Sequence, residues 1–213
     1  MKRNNLDIEV YNILINQIMD GRYNAGEKIS IEDLAAELGV SVTPVLGALR
    51  KLVYEGLVVT IRGKGYHVAT FSEEDLNEML SAVNSIFLMA FEHILANESE
   101  DVLANLYKLS EKAQKEFDEG DYQAYLQTDA EFHESIIKEL DNQYIIKFYN
   151  DMFRQICYCY QASRDSTHRG INTALPDNHF NICDALKRRD REALKEALIA
   201  DFPMRDLIFS SGN

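Results

Sequence analysis

Several features that would indicate a secreted or membrane-bound protein are missing from this 213-residue sequence. Three cysteines, Cys157, Cys159 and Cys183, are too few for a disulfide framework, and we expect all three to be buried thiols. No apolar run approaches the length needed to span a membrane, and the opening residues, MKRNNLDIEVYN, contain no apolar signal core. We therefore expect a cytoplasmic protein with no membrane partner.

The segment from Ser30 to Lys51 has the spacing of two short helices joined by a tight turn. Ser30 can cap the first helix, with Asp33 in the reciprocal capping position, and Gly39 ends that helix. Pro44 is tolerated only in the first turn of the second helix. The apolar stripe of this second helix comprises Val45, Ala48, Leu49, Leu52 and Val53. The pattern predicts a helix-turn-helix, although such helix pairs are common and the pattern alone favours DNA binding only slightly.

Residues 57 to 69 predict a strand, a glycine-rich basic turn and a second strand. The turn contains Arg62, Gly63, Lys64 and Gly65. A hairpin tip of this kind beside a recognition helix lets backbone and side chains approach phosphates or the minor groove. Together, the helix-turn-helix and the hairpin predict a winged-helix DNA-binding domain at residues 1 to 70.

Positive charge is not in excess in this predicted DNA-binding domain. Residues 1 to 70 contain eight basic and eight acidic residues, so the whole net charge of −13 falls on residues 71 to 213. Because affinity for a duplex comes largely from neutralised phosphates, a neutral winged helix should bind weakly as a monomer. We therefore expect a homodimer that places two copies on one double-stranded operator.

The residues of this domain resemble the GntR family of winged-helix transcription regulators. The matching segments include Gly26-Glu27-Lys28-Ile29, Leu38-Gly39-Val40-Ser41, Thr43-Pro44-Val45, Glu55-Gly56-Leu57-Val58 and Arg62-Gly63-Lys64-Gly65. The contact surface that the resemblance implies for DNA comprises Ser41, Thr43, Arg50, Arg62, Gly63 and Lys64. The chain differs from the family where the recognition helix usually carries Arg, Arg and Glu, because Val42, Leu46 and Gly47 stand there. Two arginines that usually contact DNA are therefore missing.

No strand pattern follows residue 70, and apolar residues recur there at helical spacing. Six helices are predicted: one from Ser72, two through residues 102–117 and 122–140, and three that begin at Asn142, Pro176 and Asp190. Residues 165–173 are polar and predict a loop. The predicted fold is thus mainly α, with an N-terminal winged helix-turn-helix bearing a small β-wing and an all-α six-helix bundle at residues 71 to 213.

Four polar residues of the bundle are predicted to converge. Asp129 and His133 are four residues apart, so they lie one turn apart on the same helix face. The last two helices form a hairpin, and His179 and Asp201 each lie eleven residues from Asp190 at its turn. In an antiparallel hairpin these two positions come level, roughly 16 Å from the turn. Taken singly, a buried histidine more often makes an ordinary hydrogen bond than binds a metal.

The helical part resembles the FadR C-terminal (FCD) branch of the GntR family, and this resemblance favours a metal site. The family's Asp-x-x-x-His corresponds to Asp129 and His133, its next histidine to His179, and its final histidine to Asp201. Carboxylates and imidazoles both bind divalent ions, so the implied cofactor is Zn²⁺, Ni²⁺ or Mn²⁺. Asp201 in place of histidine makes the site harder and more acidic.

The resemblance implies a ligand-responsive transcription regulator of the repressor type that binds a small effector, a carboxylate held at or near the metal. In the first bundle helix the family often has Arg and then Glu, whereas this chain has Leu80 and Asn84. The usual carboxylate anchor is therefore absent. Arg154 is the candidate substitute for binding the effector.

Two other functions stay open on the sequence alone. The missing arginines at Val42 and Leu46 favour a helical ligand-binding module with weakened DNA binding. The Asp/His group could instead be a metal-dependent enzyme centre with an open position for water. Because no other nucleophile or general-base arrangement is present in the sequence, we predict that the protein is not an enzyme.

Overall fold

The computed structural model describes residues 3–97, 100–162 and 176–201. The helices are α1 (Arg3–Met19), α2 (Ile31–Leu38), α3 (Val42–Tyr54), α4 (Glu73–Asn97), α5 (Glu100–Asp118), α6 (Tyr122–Lys138), α7 (Gln143–Ala162), α8 (Pro176–Arg188) and α9 (Arg191–Asp201). The strands are β1 (Lys28–Ile29), β2 (Val58–Ile61) and β3 (Gly65–Val68). The predicted mainly α fold is confirmed. The predicted loop at residues 165–173 lies outside the described residues.

The chain divides into two compact units. Among the described residues, the first unit holds residues 3–74 and 151–162, and the second holds residues 75–97, 100–150 and 176–201. The C-terminal part of α7 therefore groups with the winged helix. The predicted domain boundary at residue 70 stays a prediction.

The helices of the first unit begin and end where local chemistry requires it. The backbone N–H of Asp33 donates to the Ser30 hydroxyl at 3.3 Å, and Gly39 ends α2 with a φ of 64°. Pro44 lies in the first turn of α3, where its missing N–H leaves no helical bond unmade. The apolar sides of the three helices share one core, which includes Val10, Leu14, Ile18, Leu34, Val45, Leu49 and Leu52.

The wing is a three-stranded antiparallel sheet in the order β1-β3-β2. Strands β2 and β3 form the predicted hairpin. Strand β1 was not predicted: Lys28 pairs with His67, and Ile29 pairs with Tyr66. A strand of two residues is too short to show an alternating pattern, so the sequence gives no signal for it.

The C-terminal part of α7 supplies a side chain to the winged-helix core. Tyr158 is only 2% exposed, and its ring meets that of Phe71 edge-on with the ring centroids 6.1 Å apart. The winged-helix unit therefore includes a segment of α7 that lies far in sequence from the rest of the unit.

The six predicted helices of the C-terminal region, α4 to α9, are all present in the described part of the chain. Capping side chains fix three of their starts. Asp121 accepts a hydrogen bond from the N–H of Ala124, Asn142 from that of Tyr144, and Asp190 from that of Ala193. Such caps satisfy N–H groups that have no partner inside the helix.

Two expectations about composition need correction. Helix α4 is 25 residues long with an 18-residue window of mean hydropathy 1.5, so by length and composition alone it could cross a membrane. Its buried side lies in the core of its unit, which is how a core helix of a globular domain meets the same test. Cys159 and Cys183 are buried as expected, whereas Cys157 is only half-buried.

Candidate functional site

The outer side of α3 carries three of the six residues predicted to contact DNA. Ser41 at the N-cap, Thr43 and Arg50 are exposed, while the opposite side of the helix is buried in the core. Val42 is 41% exposed on the same outer surface. An apolar side chain can touch a thymine methyl group but cannot make a bidentate contact to guanine. The exposed face of this recognition helix is therefore less basic than the family pattern.

Gly47 in the middle of α3 has a packing explanation. A Cβ atom at Gly47 would lie 2.9 Å from Oδ2 of Asp7, which is on α1. Glycine in a helix interior costs roughly 0.5 to 1 kcal/mol relative to alanine. Here the absent side chain leaves room for the Asp7 carboxylate, which would have to shift if position 47 carried a Cβ atom.

The wing tip carries the other three predicted contacts. Arg62, Gly63 and Lys64 are exposed between β2 and β3, and the Lys64 N–H donates to the Ile61 carbonyl at 3.0 Å. Gly63 has a φ of 76°, a conformation that glycine adopts without strain. Lys28 on β1 is exposed beside His67, so the unpredicted strand adds a basic side chain to the wing.

The four predicted metal ligands lie together in the second unit, on α6, α8 and α9. Asp129 Oδ1 is 3.2 Å from His179 Nε2, and Asp129 Oδ2 is 3.7 Å from His133 Nδ1. Asp201 Oδ2 is 2.5 Å from His133 Nε2, and Asp201 Oδ1 is 3.9 Å from His179 Nε2. Each carboxylate thus faces both imidazoles. We call these four residues the Asp/His cluster.

The chemistry of the Asp/His cluster fits a cation. His133 and His179 are 1% and 0% exposed. Asp201 Oδ1 and His179 Nδ1 are buried without a hydrogen-bond partner among the described residues, and Asp129 Oδ1 and His179 Nε2 are buried with only their mutual contact at 3.2 Å. Buried polar atoms are rarely left unbonded, because each costs about 1 to 3 kcal/mol. Donor atoms of Asp129, His133 and His179 lie within 4.8 Å of one another, which a shared ion would satisfy.

Opposite charges dominate the protonation of the Asp/His cluster. Burial alone would lower the pKa of His133, but the carboxylates of Asp201 and Asp129 outweigh burial and raise that pKa to about 9. Burial likewise raises the pKa of Asp129, but His133 and His179 outweigh it and hold that pKa below its usual value. The cluster therefore holds a proton on His133 at neutral pH when no cation competes for the site.

Aromatic side chains fix the two imidazoles. Phe132 stacks on His179 with the ring centroids 4.0 Å apart and the planes at 14°. Phe87 of α4 meets His133 edge-on at 5.7 Å. In the sequence both phenylalanines belong to the helical repeat of apolar residues that follows residue 70. Their contacts with the histidines are made between separate helices, so no local pattern in the sequence reveals them.

Arg154, the predicted effector-binding residue, belongs to the first unit. Its guanidinium lies 2.7 Å from Asp151 Oδ1 and 3.6 Å from Glu55 Oε1. Two carboxylates therefore already neutralise its charge. Its role toward an effector stays a prediction.

A winged helix joined to a helical domain with a buried Asp/His cluster defines the class of ligand-responsive transcription regulators. The chain belongs to the GntR family of bacterial regulatory proteins, whose family model matches residues 6–68, and the FCD domain model matches residues 78–202. The recognition from the sequence is thereby confirmed. The family and its named members are regulators rather than enzymes, as predicted.

Several named proteins are similar over most of their length. The uncharacterized HTH-type transcriptional regulator YdhC of Bacillus subtilis is 25% identical over 92% of this chain and 87% of its own. McbR of Escherichia coli is 25% identical over 93% and 90%, and the gluconate operon transcriptional repressor of Bacillus licheniformis is 24% identical over 87% and 77%. The solved structure of E. coli McbR/YncC has a TM-score of 0.71 at 23% identity and covers 98% of this chain and 99% of that chain, which supports the fold.

Proposed function

We propose that this transcription regulator is a cytoplasmic homodimer that represses its targets and responds to a small carboxylate metabolite at or near a divalent metal ion. Regulation of transcription and binding to DNA follow from the family. Several similar proteins are named as transcriptional repressors, which supports the sign of regulation. Binding to bacterial DNA requires access to the cytoplasm, which supports a cytoplasmic location for this protein.

One observation supports the metal proposal: two carboxylates and two imidazoles from three helices lie within contact distance of one another in a buried cluster. The ion would be held by Asp129, His133, His179 and Asp201. Their two carboxylates and two imidazoles provide oxygen and nitrogen ligands, which suit Zn²⁺, Ni²⁺ or Mn²⁺. When bound, such an ion supplies a positive centre for a carboxylate. This matters because Leu80 and Asn84 provide no cationic anchor on α4.

The dimer proposal is supported by charge and by exposed apolar surface. A winged-helix segment with equal numbers of basic and acidic residues needs a second copy to bind an operator tightly. In the helical unit Tyr144 and Phe148, one turn apart on α7, are 78% and 55% exposed. Native mass spectrometry would report the subunit number directly.

The test of the metal site compares His179→Ala with His93→Ala, a control at an exposed position on α4. Elemental analysis and native mass spectrometry should find one metal ion per chain in the wild type and the control. His179→Ala should lose most of its metal and keep its helix content, because only a ligand is removed. Equal metal in both variants, or unfolding of metal-free His179→Ala, would reject the site.

A second function, a ligand-binding module with weakened DNA binding, is favoured by the exposed Val42 on the recognition helix. Selection from a random duplex library distinguishes it from the first. A regulator should enrich a two-fold symmetric operator, and its half-sites should differ from the standard family sequence because Val42 and Leu46 cannot read guanine. No enrichment above a shuffled library would favour the module.

A further inference from the structure

The C-terminal end of the recognition helix is held by side chains from two other helices. Glu55, the C-cap residue of α3, is only 5% exposed although its side chain is polar. Its Oε2 accepts a hydrogen bond from the Tyr11 hydroxyl at 2.7 Å, and its Oε1 lies 3.6 Å from Nη2 of Arg154. Its carbonyl oxygen accepts a hydrogen bond from Nε2 of Gln155 at 2.7 Å. We call Arg154 and Gln155, both on α7, the α7 clamp.

The α7 clamp meets the chemical needs of a helix end. The last carbonyls of a helix have no donor inside the helix, and Gln155 supplies one to Glu55. Arg154 places a positive charge at the negative end of the helix dipole, and Asp151 holds its guanidinium at 2.7 Å. A Cβ atom at Gly56 would lie 2.6 Å from Gln155 Nε2, so the Gln155 side chain rests directly on the backbone after α3.

The same helix also contributes to the unit that contains the Asp/His cluster. Helix α7 runs without interruption from Gln143 to Ala162, and its residues up to Asn150 belong to that second unit. There Tyr149 is 1% exposed and meets Phe87 edge-on at 5.7 Å, and Phe87 meets His133 edge-on at 5.7 Å. A change at His133 therefore has a packed route to α7.

We propose that α7 transmits the state of the Asp/His cluster to the recognition helix, and that Gln155 is the positioning residue through which it acts. The positioning role depends only on DNA binding, whereas the transmission rests on the proposed metal site. Helix α3 is about 20 Å long at a rise of ~1.5 Å per residue, so a tilt of about 5° at Glu55 moves Ser41 by about 1.7 Å. Productive recognition geometry tolerates only about 0.5 Å.

The positioning role is tested with Gln155→Met, which removes the donor at similar size. Gln114→Met is the matched control, because Gln114 is a half-buried α5 residue, like Gln155 on α7, and its side chain donates to Asp118. On a duplex selected by the wild type, Gln155→Met should bind about tenfold more weakly, the scale of one mismatched base pair. Its binding to unrelated duplex and its Tm should match the control. Gln155→Lys, which keeps a donor, should recover part of the affinity.

Unchanged specific affinity in Gln155→Met would overturn the positioning role. So would an equal loss on specific and unrelated duplex together with a lower Tm, since that is the signature of general destabilisation.

Transmission is tested by hydrogen exchange of residues 42–56 with Ni²⁺ or with EDTA, which needs no operator. Ni²⁺ should change exchange across α3 in the wild type and in Gln114→Met. In Gln155→Met that change should be lost while native mass spectrometry shows the same bound Ni²⁺. Transmission is overturned if Gln155→Met keeps the change, or if the wild type binds Ni²⁺ without any change in α3. A wild type that binds no Ni²⁺ would overturn the metal site and transmission together, and the duplex measurement would still decide the role of Gln155.

Discussion

At Asp201 the chain carries a carboxylate where the family pattern has a histidine, and this carboxylate faces both imidazoles of the Asp/His cluster. Two carboxylates and two imidazoles make a harder and more negative site than one carboxylate and three imidazoles. Imidazole nitrogen suits Zn²⁺ and Ni²⁺, while carboxylate oxygen suits Mn²⁺. The identity of this one side chain therefore sets the order of metal affinities.

We expect Asp201→His to tighten Zn²⁺ or Ni²⁺ relative to Mn²⁺ by about tenfold or more, since changing a residue that only orients a metal ligand already alters affinity by about 10- to 100-fold. Competition titrations on metal-free protein measure the ratio. Asp190→Asn is the control, because Asp190 caps α9 and lies outside the cluster. A ratio that is the same in the wild type and in Asp201→His would show that Asp201 does not bind the ion.

Protons should compete with the metal at His133. Its folded-state pKa of about 9 lies above the ordinary value of about 6.5. The resulting stabilisation of the metal-free protein is complete below pH 6.5 and is lost as pH rises through about 9. At pH 7 His133 is protonated, and Asp201 holds its Nε2 at 2.5 Å where a cation would bind.

Metal binding at pH 7 should therefore release about one proton, because the ligand form of histidine is neutral. Calorimetry in two buffers of different ionisation enthalpy measures this number. The release should fall to about half at pH 9, where half of the His133 side chains are already neutral. Binding without proton release at pH 7 would contradict the assignment of His133 as a ligand.

Among the elements, the wing supplies most of the positive charge near the predicted DNA surface. Arg62→Ala and Lys64→Ala should each weaken binding to all duplexes and lower the salt slope by about 0.9, the contribution of one phosphate contact. Fluorescence anisotropy at several salt concentrations measures both quantities. Arg22→Ala is the control, because Arg22 lies outside the β2–β3 hairpin and is paired with Glu37 of α2. An unchanged slope in both wing variants would remove the wing from the DNA surface.

The elements differ in how far the sequence predicts them. Capped, periodic helices such as α2 and α9 are predictable, because their signals lie within a few residues: Ser30 with Asp33, and Asp190 with Ala193. The hairpin of β2 and β3 carries its own turn signal. Strand β1 is too short to leave a pattern and depends on pairing with β3. Elements whose signals lie within a few neighbouring residues can therefore be predicted, whereas strand β1 cannot.

The two sites also differ in how far the sequence predicts them: the Asp/His cluster follows from local spacing, whereas the α7 clamp does not. Helical spacing places Asp129 beside His133, and hairpin symmetry brings His179 level with Asp201, so the approach of these four residues could be predicted. Their assignment as metal ligands came from the family resemblance and stays a prediction. The pairing of Gln155 with Glu55 spans 100 residues and follows no period. Only packing of the C-terminal part of α7 in the winged-helix core brings these two side chains together.

Across the whole molecule, negative charge is concentrated in the helical region. Residues 71 to 213 contain 14 basic and 27 acidic residues. This excess repels DNA and also favours a cation in the buried cluster. A cation bound by α6, α8 and α9 would join α6 to the hairpin of α8 and α9, which lies far from it in sequence, so its binding energy would add to the stability of that unit.

Chelation should consequently lower the Tm of the helical unit. An ion that binds only the folded state at 100 times its Kd adds about 2.7 kcal/mol, and each kcal/mol moves Tm by roughly 2 to 8 °C in domains of this size. We expect EDTA to lower Tm by roughly 5 to 20 °C relative to saturating Ni²⁺. Thermal unfolding followed by circular dichroism measures the shift. His179→Ala should show almost no shift because its site is incomplete, and a shift as large as that of the wild type would place the stabilising ion elsewhere in the protein.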